Sequence, residues 1–85
     1  MAYQIVFEKS AEKQLGKLEK RTQIKIAAKI DELADDPRPY GYKKLVDSGG
    51  TCRVKVGGYR ILYDIFDNVL VINVISIIKR NERTY

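Results

Sequence analysis

The chain reads as an α+β fold: an N-terminal strand and a helical hairpin packed on a small twisted antiparallel sheet. Three observations predict it. Residues 51–66, TCRVKVGGYRILYDIF, form two runs of β-branched and aromatic residues around Gly57-Gly58, the signature of a hairpin with a two-residue turn. Residues 11–34 carry apolar side chains at helical spacing. Residues 69–78 are apolar at nearly every position, as expected of a central strand covered on both faces. Strand, two helices, then a run of strands is the order of an α+β domain. At 85 residues, one domain over 1–85 is expected, with a single core.

The elements follow in order. Residues 3–7 (YQIVF) are a short strand. Ser10 is placed to cap a helix starting at Ala11, in which Ala11, Leu15 and Leu18 form the inner face and Gly16 weakens the far end. A second helix spans about 22–34, with Ile26, Ala27, Ile30, Leu33 and Ala34 as its apolar stripe and Lys25 and Lys29 on the polar side. Asp36-Pro37 ends it, because a residue preceding proline is pushed out of the helical region. Residues 37–42 (PRPYGY) connect to a short strand over 43–46, and residues 47–50 (DSGG) turn into the hairpin. Asp67-Asn68 is a second tight turn, with Asn68 supplying the left-handed position. The last strand runs over 69–78.

The hairpin register sorts its side chains. With Gly57-Gly58 as the turn, Val56 faces Tyr59, Lys55 faces Arg60, Val54 faces Ile61 and Arg53 faces Leu62. One face then carries Val54, Val56, Tyr59, Ile61, Tyr63 and Ile65, and the helices should cover it. The other carries Arg53, Lys55 and Arg60 and should stay partly open. Like charges placed directly opposite cost roughly 0.2–1 kcal/mol. Three cations on one rigid surface suit an anion, a phosphodiester above all. A solvated polar face is the bland account of the same residues.

Charge is distributed in keeping with this. The chain has net charge +5 and a pI of about 9.4. Residues 1–40 are net +1, while residues 41–85 are net +4, so the surplus lies with the strands and points to an acidic partner. A single cysteine, Cys52, allows no internal disulfide and reads as a small core residue on the apolar face. Residues 1–10 lack the basic start and apolar run of a secretory leader, and 69–78 is far short of a membrane span, so a cytoplasmic protein is expected.

The chain has no histidine, which removes Ser-His-Asp and Cys-His arrangements and, with one cysteine, a structural zinc site. No paired-carboxylate or phosphate-loop motif is present, and no cofactor is expected. Phosphate chemistry remains open where RNA supplies its own nucleophile, the 2′-OH. Such an enzyme needs a proton acceptor, a proton donor for the 5′-oxygen and cations for the charge on phosphorus. Lys, Arg and Tyr can fill these roles, and aromatic rings can hold an unstacked base. Tyr40, Tyr42, Tyr59 and Tyr85 are the candidates, with Tyr59 better read as core.

The ordered set DPRPYGYKKL, CRVKVGGYRILYDI and VLVINVISIIKRNERTY resembles the RelE/ParE superfamily of toxin–antitoxin toxins, closest to RelE-like mRNA interferases, over essentially the whole chain. The resemblance implies a RelE-like toxin fold, metal-free cleavage of mRNA in the ribosomal A site, and neutralisation by a RelB-like antitoxin in a hetero-oligomer. By position it implies catalytic roles for Lys55 (proton acceptor or charge stabiliser), Arg60 (phosphate), Arg53, Arg80 (transition state or leaving group) and Tyr85 (base stacking or proton transfer). Lys43, Lys44, Lys79 and Arg83 complete the expected RNA-binding set. Arg53 departs from the family pattern, which has lysine there; arginine stays protonated and is a poor base. The superfamily also holds ParE-like members, which bind DNA gyrase without a nuclease site, and a plain nucleic-acid-binding module is a third alternative.

Overall fold

In the computed structural model, which describes residues 2–45 and 49–79, the elements are β1 (Gln4–Phe7), α1 (Lys9–Gly16), α2 (Lys20–Asp35), β2 (Lys43–Lys44), β3 (Cys52–Val56), β4 (Tyr59–Phe66) and β5 (Val71–Lys79). They form a five-stranded sheet in the order β1-β5-β4-β3-β2. The expected sheet was antiparallel throughout; the observed one is mixed, because β1 runs parallel to β5. No hairpin joins these two strands: α1 and α2 carry the chain away from β1, and it returns beside β1 only in the last strand.

The core lies between one face of the sheet and the helices. Ala11 of α1, Ile26, Ile30 and Leu33 of α2, and Cys52, Val54, Ile61, Tyr63, Ile72, Val74 and Ile77 of the strands are buried. Ala27, placed in the stripe by its spacing, is exposed, so the inward face of α2 is the narrower 26-30-33 line. Tyr63 is fully buried, and its hydroxyl donates to the Pro37 carbonyl at 2.7 Å. Burial pushes this phenol above its ordinary range.

Helix α1 starts at Lys9, two residues before the expected Ala11, with Glu8 at the cap position and no side-chain cap. Ser10 does not cap. Its hydroxyl donates to the Ile75 carbonyl at 3.1 Å, and Gln14 Oε1 accepts from the Ile77 backbone N–H at 2.8 Å. Strand β1 ends at Phe7, so beyond that point polar side chains of α1 satisfy the backbone of β5 in place of a neighbouring strand. Gln23 of α2 donates back to the Leu18 carbonyl at 3.1 Å, closing the helical hairpin.

The β3–β4 register is as predicted, residue by residue. Gly57 has φ +55° and Gly58 has no positive φ, the sign pattern of a type II′ turn. The second turn differs from expectation. It occupies residues 67–70 rather than Asp67-Asn68 alone, and the left-handed residue is Leu70 (φ 54°), not Asn68. Three contacts hold it: the Asp67 carboxylate accepts from Tyr3 Oη at 2.6 Å and Arg38 Nη2 at 2.8 Å, and the Leu70 carbonyl accepts from the Gln4 N–H at 2.8 Å. A bulge also interrupts the β4–β5 ladder. Leu62 pairs with Ser76 but Tyr63 with Val74, leaving Ile75 as the extra residue. A regular β5 would put Ile75 and Ile77 on the Arg60 face. The bulge instead sends Ile77 into the core and sets Ile78 opposite Arg60.

Candidate functional site

The two-residue turn places Val56 and Tyr59 as the hydrogen-bonded pair next to it. Lys55 and Arg60 follow as a non-hydrogen-bonded pair, the class in which side chains stand closest. Arg53 lies two residues along on the same face, and Lys43 of β2 is its cross-strand partner. Four cations from three strands, Lys43, Arg53, Lys55 and Arg60, therefore share the sheet face opposite the helices. Lys43 and Lys55 are exposed, while Arg53 and Arg60 are half-buried.

The other predicted cations separate from this group. Lys44 pairs with Cys52 and Lys79 with Tyr59, which puts both on the helix side of the sheet. Lys44 lines a cavity of about 360 Å³ with Arg38, Tyr42, Cys52 and Asp64. That cavity opens at the strand ends, away from the Lys55–Arg60 pair, and its Arg38 is already engaged by Asp67. Arg80, Arg83 and Tyr85 lie outside the described residues, as do Val46 and the first half of the DSGG turn. Tyr59 packs on the core as expected, Tyr42 is half-buried against it, and Tyr40 is fully exposed. Cys52 is buried, and burial raises its thiol above the ordinary range, which fits a packing role.

Three features of the face were missed by sequence reasoning. Asp64, the nearest acid in the strand pattern, accepts from Thr51 Oγ1 at 3.0 Å. Leu62, Ser76 and Ile78 lie between the cations and β1, so the face is partly apolar; the alternation of β4 pointed to Leu62, but Ser76 and Ile78 depend on the bulge. The third is the Tyr3–Asp67–Arg38 network. The Asp36 carboxylate accepts from the Arg38 N–H at 3.3 Å, which helps shape the DPRP loop that carries Arg38.

The ParE toxin family of type II toxin–antitoxin systems, parDE, matches residues 5–84. The chain belongs to the RelE/ParE superfamily of type II toxins. It is 30% identical over 81 residues to an Escherichia coli protein described as a RelE-like toxin, covering 94% of this chain and 85% of that one. Among solved structures it is similar to the archaeal RelE–RelB complex from Pyrococcus horikoshii OT3, with 25% identity, a TM-score of 0.84, and 96% and 99% of the two chains covered. It is similar also to an arginine double mutant of E. coli toxin RelE in complex with an antitoxin RelBc peptide, with 30% identity, a TM-score of 0.80, and coverage of 96% and 87%. The α+β fold of this superfamily toxin is thus shared with RelE.

Proposed function

We propose that this toxin is a metal-independent endoribonuclease that cleaves mRNA in the ribosomal A site and so halts translation. The observation that carries the reading is the opposition of Lys55 and Arg60 on the face without helices, with Arg53 and Lys43 beside them. A packed cationic row disfavours the fold locally and suits a phosphate that gains negative charge in the transition state.

In the reaction, the 2′-oxygen attacks the adjacent phosphorus as its proton leaves. A 2′,3′-cyclic phosphate forms, and the bond to the 5′-oxygen breaks as that oxygen takes a proton. Lys55 is the proton acceptor or charge stabiliser, Arg60 holds the phosphate, and Arg53, being always protonated, contributes charge only. By resemblance, Arg80 serves the leaving group and Tyr85 stacks on a base; Lys79, Arg83, Lys43 and Lys44 add RNA contacts. So few catalytic groups fit an enzyme whose substrate is positioned for it, as mRNA is in the ribosome. The partner that silences the toxin is a RelB-like antitoxin, on the strength of the RelE relatives solved with theirs.

Primer extension on mRNA in programmed ribosomes tests this with wild type, Lys55→Ala, Arg60→Ala and Arg80→Ala. Discrete A-site cuts by wild type, with Arg60→Ala reduced at least a hundredfold while still folded, are expected. Equal cutting by Arg60→Ala would remove its assignment. The ParE name of the matching family favours a second reading, a toxin that binds DNA gyrase. Absence of cuts by folded wild type together with gyrase inhibition would establish it.

A further inference from the structure

The face that carries the cations does not end with them. Six residues along β4 from Arg60, about 20 Å at strand rise, it becomes apolar. Phe66 is 44% exposed and pairs with Val71, and Val6 of β1, 38% exposed, lies on the same face one pair further along β5. Val69 and Leu70 extend the patch into the adjoining turn, at 62% and 37%. Four of the seven exposed large apolar side chains among the described residues thus gather at one end of one sheet face. Half-buried Leu62 and Ile78 connect this end to the Lys55–Arg60 row.

RNA has little use for the apolar end. Aliphatic side chains there offer no hydrogen bonds to base edges or phosphates, and Phe66 stands some 20 Å from the cations. A protein segment that is acidic at one end and apolar at the other matches both halves. We propose that the Val6/Phe66/Val69/Val71 patch is the second half of the antitoxin-docking surface, occupied by one amphipathic segment whose acidic end lies over Arg53, Lys55 and Arg60. As a helix, a segment bridging the two ends needs about 13 residues. The complex of the E. coli relative with an antitoxin peptide fits a segment-sized ligand. This inference rests on the antitoxin partnership and not on the ribonuclease reading.

The test uses the antitoxin polypeptide cloned from the reading frame adjoining that of the toxin, labelled with a fluorophore. Anisotropy titrations at low and high salt compare wild type, Val6→Thr with Phe66→Ser, Val69→Ser alone, and Arg53→Ala with Lys55→Ala, each checked for folding by circular dichroism. Val69→Ser changes only an exposed turn residue, so it decides the matter if the double apolar variant does not fold. The expected result is at least a tenfold loss of affinity for the double apolar variant and a severalfold loss for Val69→Ser, both with an unchanged salt dependence. The cationic variant should flatten the salt dependence. Unchanged antitoxin affinity in the folded apolar variants would overturn the proposal. Unchanged antitoxin affinity with weakened ribosome binding would also overturn it, by assigning the patch to the ribosome. Wild type that binds antitoxin through the patch yet cuts no mRNA would leave the docking surface standing and remove the ribonuclease reading.

Discussion

At the scale of single residues, Asp67 joins three parts of the chain through its carboxylate. It accepts from Tyr3 ahead of β1 and from Arg38 in the DPRP loop, and these bonds hold its pKa below the ordinary aspartate value. A carboxyl whose folded value is depressed stabilises the fold above its unfolded pKa, about 3.9. That contribution is lost as pH falls through the folded value. Asp67→Asn should therefore lower Tm at neutral pH, and the gap to wild type should close below about pH 3.9 in acid thermal melts. Tyr63 offers a test without titration. Tyr63→Phe removes the donor to the buried Pro37 carbonyl and should cost about 1–3 kcal/mol in urea unfolding. It should leave the cationic face and its activity as they were.

At the scale of elements, the hairpin turn sets the face. Gly57 has a positive φ and open space around its missing Cβ, so Gly57→Ala meets backbone strain alone. The cost should be about 1–2 kcal/mol, whereas Gly58→Ala, without a positive φ and equally open, should be close to neutral; paired urea titrations read both. Helix α1 acts on the opposite side of the sheet, where Gln14 takes the Ile77 N–H. Gln14→Leu strands that donor at a half-buried site and should cost about 1–3 kcal/mol in the same titrations. Increased amide exchange at Ile77, read by NMR, would locate the loss.

At the scale of the whole molecule, the basic surplus of residues 41–85 becomes a salt effect. Binding to programmed ribosomes should weaken linearly with log salt, and Lys55→Ala should reduce the slope by about 1 if Lys55 meets a phosphate. Much of this organisation was legible in the sequence, because a two-residue glycine turn and strict alternation define a register without tertiary information. The β3–β4 pairs and the Arg53/Lys55/Arg60 face followed from that alone. What was not legible depended on distant partners. Ser10 looked like a cap because capping is local, but its hydroxyl goes to Ile75, 65 residues away. Asn68 looked like the left-handed residue by propensity, but Leu70 takes that conformation where the turn is tied to β1. The parallel pairing of β1, and with it the apolar end of the open face, has no short-range mark in the chain at all.

The extra residue in β5 makes a discontinuity in how the strand is to be read. Before Ile75, even-numbered positions such as Ile72 and Val74 belong to the interior; after it, the odd-numbered Ile77 does. Deleting Ile75 would thus do more than remove one methyl-rich side chain. It would invert the assignment of every later position in the strand, turning Ile77 outward and Ile78 inward while the composition stayed almost the same. Relatives aligned across this point without a gap of one keep the same letters and exchange inside for outside.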